Sequence, residues 1–149
     1  MIMKNRNQKG FSLIEILVVL VIIGLLVAIV APNVLDSADK ARIQKSFADF
    51  KNFETALSLY KLDNYVYPSS EQGLQALVEK PVLDPVPRRW KESGYIQDLP
   101  NDPWGNPYLY LSPGQNGPVD IFTYGADGVE GGSPDYGNWQ DPDQLEQDQ

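Results

Sequence analysis

With neither cysteine nor histidine among its 149 residues, this sequence leaves carboxylates as the side chains best placed to do chemistry. Disulfides and thiolate metal sites are excluded, and so are the usual general base and transition-metal ligand. The carboxylates stand out in two places. Glu15 sits near the start of an apolar stretch that holds no charged residue from Ile16 to Leu35. A carboxylate within a membrane segment costs on the order of 2.5–3.5 kcal/mol, and its partner should be sought. At the segment's edge, headgroups would solvate it instead. The second place is Gly125-Ala126-Asp127-Gly128-Val129-Glu130-Gly131-Gly132-Ser133-Pro134-Asp135, where acids are spaced among glycines. Glycines let the chain turn several carbonyls towards one point. Calcium takes about 6–8 oxygen ligands from carboxylates, carbonyls and water. The acids do not alternate as in an EF-hand, and a flexible solvated turn accounts for the same residues.

Charge narrows the function classes. The net charge is −8, against nucleic acid as a partner. Lys4, Arg6 and Lys9 face no acid in the first ten residues, and no lysine or arginine follows Lys91. A folded region of one charge sign repels itself. A bound cation relieves that repulsion, and a solvated acidic surface tolerates it.

Three readings compete for the N-terminus. A secretory signal peptide needs an apolar core of roughly 7–15 residues and a small-residue cleavage site; this core is longer, and Ala28-Ile29-Val30-Ala31 before Pro32 is a poor site. A single-pass anchor fits the length, since about 20 apolar residues span a bilayer. The upstream cations would then keep the N-terminus cytoplasmic and translocate the rest. A processed anchor is the third reading. Beyond Pro32, Ile43, Phe47, Phe50, Phe53, Leu57 and Tyr60 recur at helical spacing. The helix should therefore continue to about Leu62 and lay this stripe on a head. Pro32 should kink or locally melt it.

In the head, Ser70 and Glu71 suit the start of a short helix running to about Glu79. The prolines from Pro81 to Pro107 imply an irregular, pinned connection onto which Trp90, Tyr95 and Trp104 pack. Residues 107–111 and 119–124 read as an antiparallel hairpin, with a third short strand near Gly137-Asn138-Trp139. Residues 141–149 read as a disordered acidic tail.

Lys9-Gly10-Phe11-Ser12-Leu13-Ile14-Glu15, followed by the apolar helix and Pro32, resembles the N-terminus of type IV pilins and pseudopilins. The resemblance implies cleavage between Gly10 and Phe11 by a prepilin peptidase and N-methylation of Phe11. It makes Glu15 the fifth residue of the mature chain, where the family places the glutamate that pairs with a neighbouring subunit's new α-amine. Pro32 matches the family's helix-interrupting proline. Tyr65-Val66-Tyr67-Pro68, Glu71-Gln72-Gly73-Leu74, Leu99-Pro100-Asn101-Asp102-Pro103-Trp104-Gly105 and Gly137-Asn138-Trp139 narrow the likeness to the major pseudopilins of type II secretion systems.

That family implies an α+β fold of the type IV pilin kind: a long N-terminal helix, kinked near Pro32, packed on a small head with a short helix and a small antiparallel sheet. It divides the chain into a leader (1–10), a transmembrane assembly helix (11–35), a periplasmic head (36–140) and the tail. It implies a non-enzymatic filament subunit of the inner membrane that drives export of folded proteins across the outer membrane. The implied partners are further copies of the chain, minor pseudopilins, the peptidase and the inner-membrane assembly platform. It also implies calcium in the acidic loop, with Asp127 and Asp135 as carboxylate ligands and the carbonyls of Tyr124 and Gly132 or Ser133. Pro134 stands where some relatives carry a further acid, which Glu130 could replace. A surface pilin for adhesion or motility is the alternative, and a membrane-tethered hydrolase using paired carboxylates a remote one.

Overall fold

The computed structural model describes residues 11–132 and 135–145, with backbone alone over 28–36. A single helix, α1, occupies Leu13–Asn64. The Ser12 carbonyl accepts the N–H groups of Glu15 (3.0 Å) and Ile16 (3.3 Å) and so opens it. Tyr65 closes it, donating its N–H to Lys61 O at 2.7 Å with a positive φ of 68°. Helix C-termini favour that left-handed turn, normally with glycine. Local melting at Pro32 is not observed: α1 is helical on both sides of it. Proline removes one hydrogen bond, and a helix of 52 residues has many others.

The chain divides into two compact units, Met1–Asp39 and Lys40–Gln149. In the first, every large apolar side chain from Phe11 to Val27 is exposed, from 47% at Val19 to 85% at Leu13. Among the described residues no helix is long and apolar enough to cross a membrane. The uncharged run continues past Val27 to Leu35, and the side chains of 28–36 lie outside the described residues.

The second unit is built on one stripe of α1. Phe47, Phe50, Phe53, Ala56, Leu57 and Tyr60 are buried, with Ile43 half-covered at the edge. Facing them are Leu74, Leu77, Tyr108, Tyr110, Val119, Ile121 and Tyr136. The rings meet edge to face, Phe53 on Tyr108 at 5.2 Å and Phe50 on Tyr108 at 5.6 Å, the arrangement aromatic quadrupoles favour. Tyr108 also donates its hydroxyl to Asp49 on α1 at 2.6 Å, and Lys45 sits 2.5 Å from the same carboxylate oxygen.

Three antiparallel strands form the sheet in the order β1 (Leu109–Leu111), β2 (Asp120–Thr123), β3 (Tyr136–Gly137). Leu109 pairs with Phe122 and Leu111 with Asp120; Thr123 pairs with Tyr136. Asp120 fastens the β1–β2 turn by accepting the N–H groups of Gln115 (2.7 Å) and Asn116 (3.1 Å). Asn138 extends the third strand. Its N–H donates to Ile121 O (2.9 Å), its side-chain oxygen accepts from Ile121 N–H (3.0 Å), and its amide reaches Glu54 of α1 (3.0 Å).

Two sequence expectations are corrected. The short helix after Ser70 is a 3-10 helix of four residues, Leu74–Leu77. Gly73, at φ 62°, breaks the chain direction before it. The carbonyls that would extend it are spent elsewhere: Ala76 O accepts from the Trp90 indole (2.8 Å) and Leu77 O from Tyr95 N–H (2.7 Å). The acidic tail is not structureless throughout. Pro142–Leu145 forms a one-turn helix, α2, capped by Asp141, which accepts Asp143 N–H at 3.0 Å, and Leu145 packs against the core. Residues 146–149 lie outside the described ones. The cations of this unit all fall on α1 or at 80–91, so the sheet and its loops carry none.

Candidate functional site

The acidic loop is the connection from β2 to β3, and its neck is the Thr123–Tyr136 pair. Glycines at 125, 128 and 131 take positive φ values of 68°, 65° and 70°, a region open to glycine and strained for most residues. The loop therefore coils tightly. Asp127 Oδ1 accepts Val129 N–H at 3.2 Å. Its Oδ2 lies so close over Gly132 that a Cβ there would sit 2.1 Å away. Asp135 Oδ2 accepts Gly131 N–H at 3.1 Å. Its other oxygen, Oδ1, is buried without a hydrogen-bond partner, a costly arrangement for a carboxylate unless a cation or donor meets it. The Tyr124 phenol is held above its ordinary pKa of 10.0, first by desolvation and then by the negative charges of Glu130 and Asp135.

Two of the expected ligands, Asp127 and Asp135, thus turn towards the same glycine pair, while Ser133 lies outside the described residues. Among the described residues no group of three or more acidic side chains is placed to hold a metal. Glu130 is exposed and does not complete one. A hard cation here would depend on two carboxylates and on backbone carbonyls for the rest.

The loop rests on a turn that sequence reasoning passed over. Asp102 is 4% exposed. Its Oδ1 accepts the N–H groups of Trp104 (3.0 Å) and Asn106 (2.7 Å), and its Oδ2 accepts the Thr123 hydroxyl. Thr123 Oγ1 in turn accepts Gly125 N–H at 3.1 Å. Trp104 stacks on Tyr136 with ring centroids 5.8 Å apart and planes 4° from parallel. Asn106 lies beneath Gly128, 3.4 Å from where a Cβ would be. The signal was in the sequence: Asp102-Pro103-Trp104-Gly105 has aspartate, proline and glycine at the first, second and fourth positions a type I turn favours. Gly105 N–H closes it on Asp102 O at 3.0 Å.

At the other end of the chain, Phe11 is exposed and Glu15 lies in the first turn of α1, where the helix dipole favours a carboxylate. Pro32 falls within α1. Gly10 lies outside the described residues.

Residues 33–139 match the family model described as type II secretion system (T2SS), protein G. The chain belongs to this family. Residues 5–31, which hold Gly10, Phe11 and Glu15, match the model for the prokaryotic N-terminal methylation motif. Curated relatives named type II secretion system core protein G agree across nearly the whole chain. That of Pseudomonas aeruginosa is 53% identical over 140 residues, covering 92% of this chain and 99% of its own length. That of Vibrio cholerae is 55% identical over 139 residues, covering 91% and 94%. The crystal structure of the major pseudopilin from the type 2 secretion system of enterohaemorrhagic Escherichia coli aligns with a TM-score of 0.67 at 48% identity. It covers 70% of this chain and 88% of that one. The chain is thus an α+β pseudopilin, as the motifs at both ends of the sequence implied. The acidic loop and the turn beneath it both lie inside the protein G match.

Proposed function

We infer that the chain works as the repeating subunit of a type II secretion pseudopilus, a filament whose growth drives folded proteins out across the outer membrane. The observation that carries this reading is the pairing of a compact head with a helical segment whose apolar side chains are exposed on every face. A helix apolar all round must be covered by lipid or by protein. Before assembly the lipid of the inner membrane covers it, with the head in the periplasm, and in the filament the helices of other copies do. The subunit's task is structural and not enzymatic, so the mechanical work comes from the assembly platform, with minor pseudopilins as further filament partners.

Prepilin peptidase acts first. Cutting Gly10–Phe11 creates an α-amine whose ordinary pKa, about 7.7–8.0, leaves it largely charged at neutral pH. Glu15 pairs with that amine on a neighbouring copy. Leaving either charge unpaired in an apolar bundle is costly, so the pair sets the register of assembly. Glu15→Ala should insert into the membrane normally but fail to form filaments, as judged by shearing and immunoblotting. Normal filaments from that variant would refute the pairing.

The acidic loop suits a calcium ion held by Asp127, Asp135 and the carbonyls of Tyr124 and Gly132 or Ser133. The unpartnered Asp135 oxygen and the inward turn of Asp127 support this. Calcium would neutralise a part of the head that has no cation of its own. At a hundred times its dissociation constant it would stabilise the fold by about 2.7 kcal/mol. Calorimetric titration of the full chain in detergent micelles should show heat on adding calcium and none for Asp127→Ala. A silent titration of the unaltered chain would remove the ion from the account.

A further inference from the structure

We infer that Asp102 is a positioning residue for the calcium loop, acting through Thr123 to orient a backbone ligand before any ion arrives. The inference rests on the calcium reading above and goes beyond its ligand set.

Three grips join the Asp102–Asn106 turn to the loop. At one side of the neck, Asp102 accepts the Thr123 hydroxyl; at the other, Trp104 lies flat on Tyr136; between them, Asn106 sits beneath Gly128. The first grip has the sharpest consequence. Thr123 spends its only hydroxyl proton on Asp102, so its oxygen is left to accept, and it accepts the Gly125 N–H. That N–H belongs to the same planar peptide as the Tyr124 carbonyl. In a trans peptide the two point in opposite directions. Fixing the Gly125 N–H therefore fixes the direction of the Tyr124 carbonyl, one of the proposed ligands. Asp102 sets this orientation although it touches neither the carbonyl nor the ion.

Burial makes the relay hard to replace. Asp102 and Thr123 are 4% and 1% exposed, so water cannot readily take over the hydroxyl's partner. Without the relay, binding would have to order a glycine-rich segment, and glycine loses more conformational freedom than any other residue. Removing partners that orient metal ligands typically weakens binding about 10–100-fold.

The test uses the full chain in detergent micelles and two readouts. Calcium affinity is measured by calorimetry. Amide hydrogen exchange is measured in chelator over Gly125–Gly132, with Phe50–Leu57 of α1 as the internal reference. Thr123→Val, which removes the relay hydroxyl but keeps the shape, should bind calcium about tenfold or more weakly. Its loop amides should exchange faster while the α1 reference stays unchanged. Thr123→Ser, which restores the hydroxyl, should recover both properties, and Asp102→Asn should resemble Thr123→Val. Unchanged affinity and exchange in Thr123→Val would overturn the inference. So would an equal acceleration in loop and helix, which would mean plain loss of stability. If the unaltered chain takes up no calcium, the calcium reading falls by itself. The exchange comparison then decides whether Asp102 orders the loop, and unchanged loop exchange counts against it.

Discussion

Single atoms set limits at several positions in the head. A Cβ on Gly114 would lie 2.5 Å from Asp120 Oδ1 and 2.7 Å from Gly117 O. The Asp120 carboxylate already holds the turn amides, and the Gly117 contact is backbone, so neither yields easily. Gly114→Ala should cost about 1–3 kcal/mol, read as a lower urea midpoint with unchanged slope. The buried tyrosines impose a limit of another kind. Tyr110 is pushed up to about 12 from 10.0, chiefly by desolvation. Tyr108 is raised further, by burial first and then by its hydrogen bond to Asp49. A phenol with a raised folded-state pKa favours folding fully below its unfolded value. That contribution is lost as pH climbs through the folded one. Stability should therefore hold to about pH 10 and fall steeply towards pH 12. Thermal melts at stepped alkaline pH, with phenolate absorbance recorded alongside, check this; a fall complete below pH 9 would point to other groups.

Among the elements, α1 has two kinds of apolar surface. Its aromatic stripe carries the head core, and Phe50, packed among Phe47 and Tyr108, should cost about 3–5 kcal/mol when replaced by alanine. Leu17 is half exposed, and Leu17→Ala should leave the head's melting temperature where it was. A shift of several degrees from Leu17→Ala would contradict this separation. The stripe was legible in the sequence because residues three and four apart share a helix face, whatever that face meets. The hairpin and third strand were legible from aromatic runs between turn residues. The 3-10 helix was not, because Trp90 and Tyr95, far along the chain, claim the carbonyls a longer helix would use. The acidic loop stood out in the sequence by acids spaced among glycines, but that spacing suits a solvated turn as well, and only the family resemblance singled out Asp127 and Asp135. Asp102 could not be tied to them, because its link to Thr123 crosses the fold. Helix α2 was missed because four acids within 141–149 outweighed the one apolar anchor, Leu145.

For the molecule as a whole, the boundary between Asp39 and Lys40 divides residues that need an apolar surround from residues that cover one another. A chain restricted to Lys40–Gln149 should fold in water without detergent and sediment as a monomer, while the full chain should need micelles. Aggregation of the shorter chain, seen by analytical ultracentrifugation, would mean that the core depends on the preceding helix. The placement of cations has a practical consequence for mapping such assemblies. Every lysine and arginine lies at or before Lys91, so trypsin can release all three strands and the acidic loop only as one long fragment. Amine-reactive cross-linkers will likewise report contacts made by α1 and the segment up to Lys91, and nothing from the sheet. Contacts through the sheet face will register only with carboxyl-directed reagents, and a lysine-based map that finds that face silent will be recording its chemistry and not its solitude.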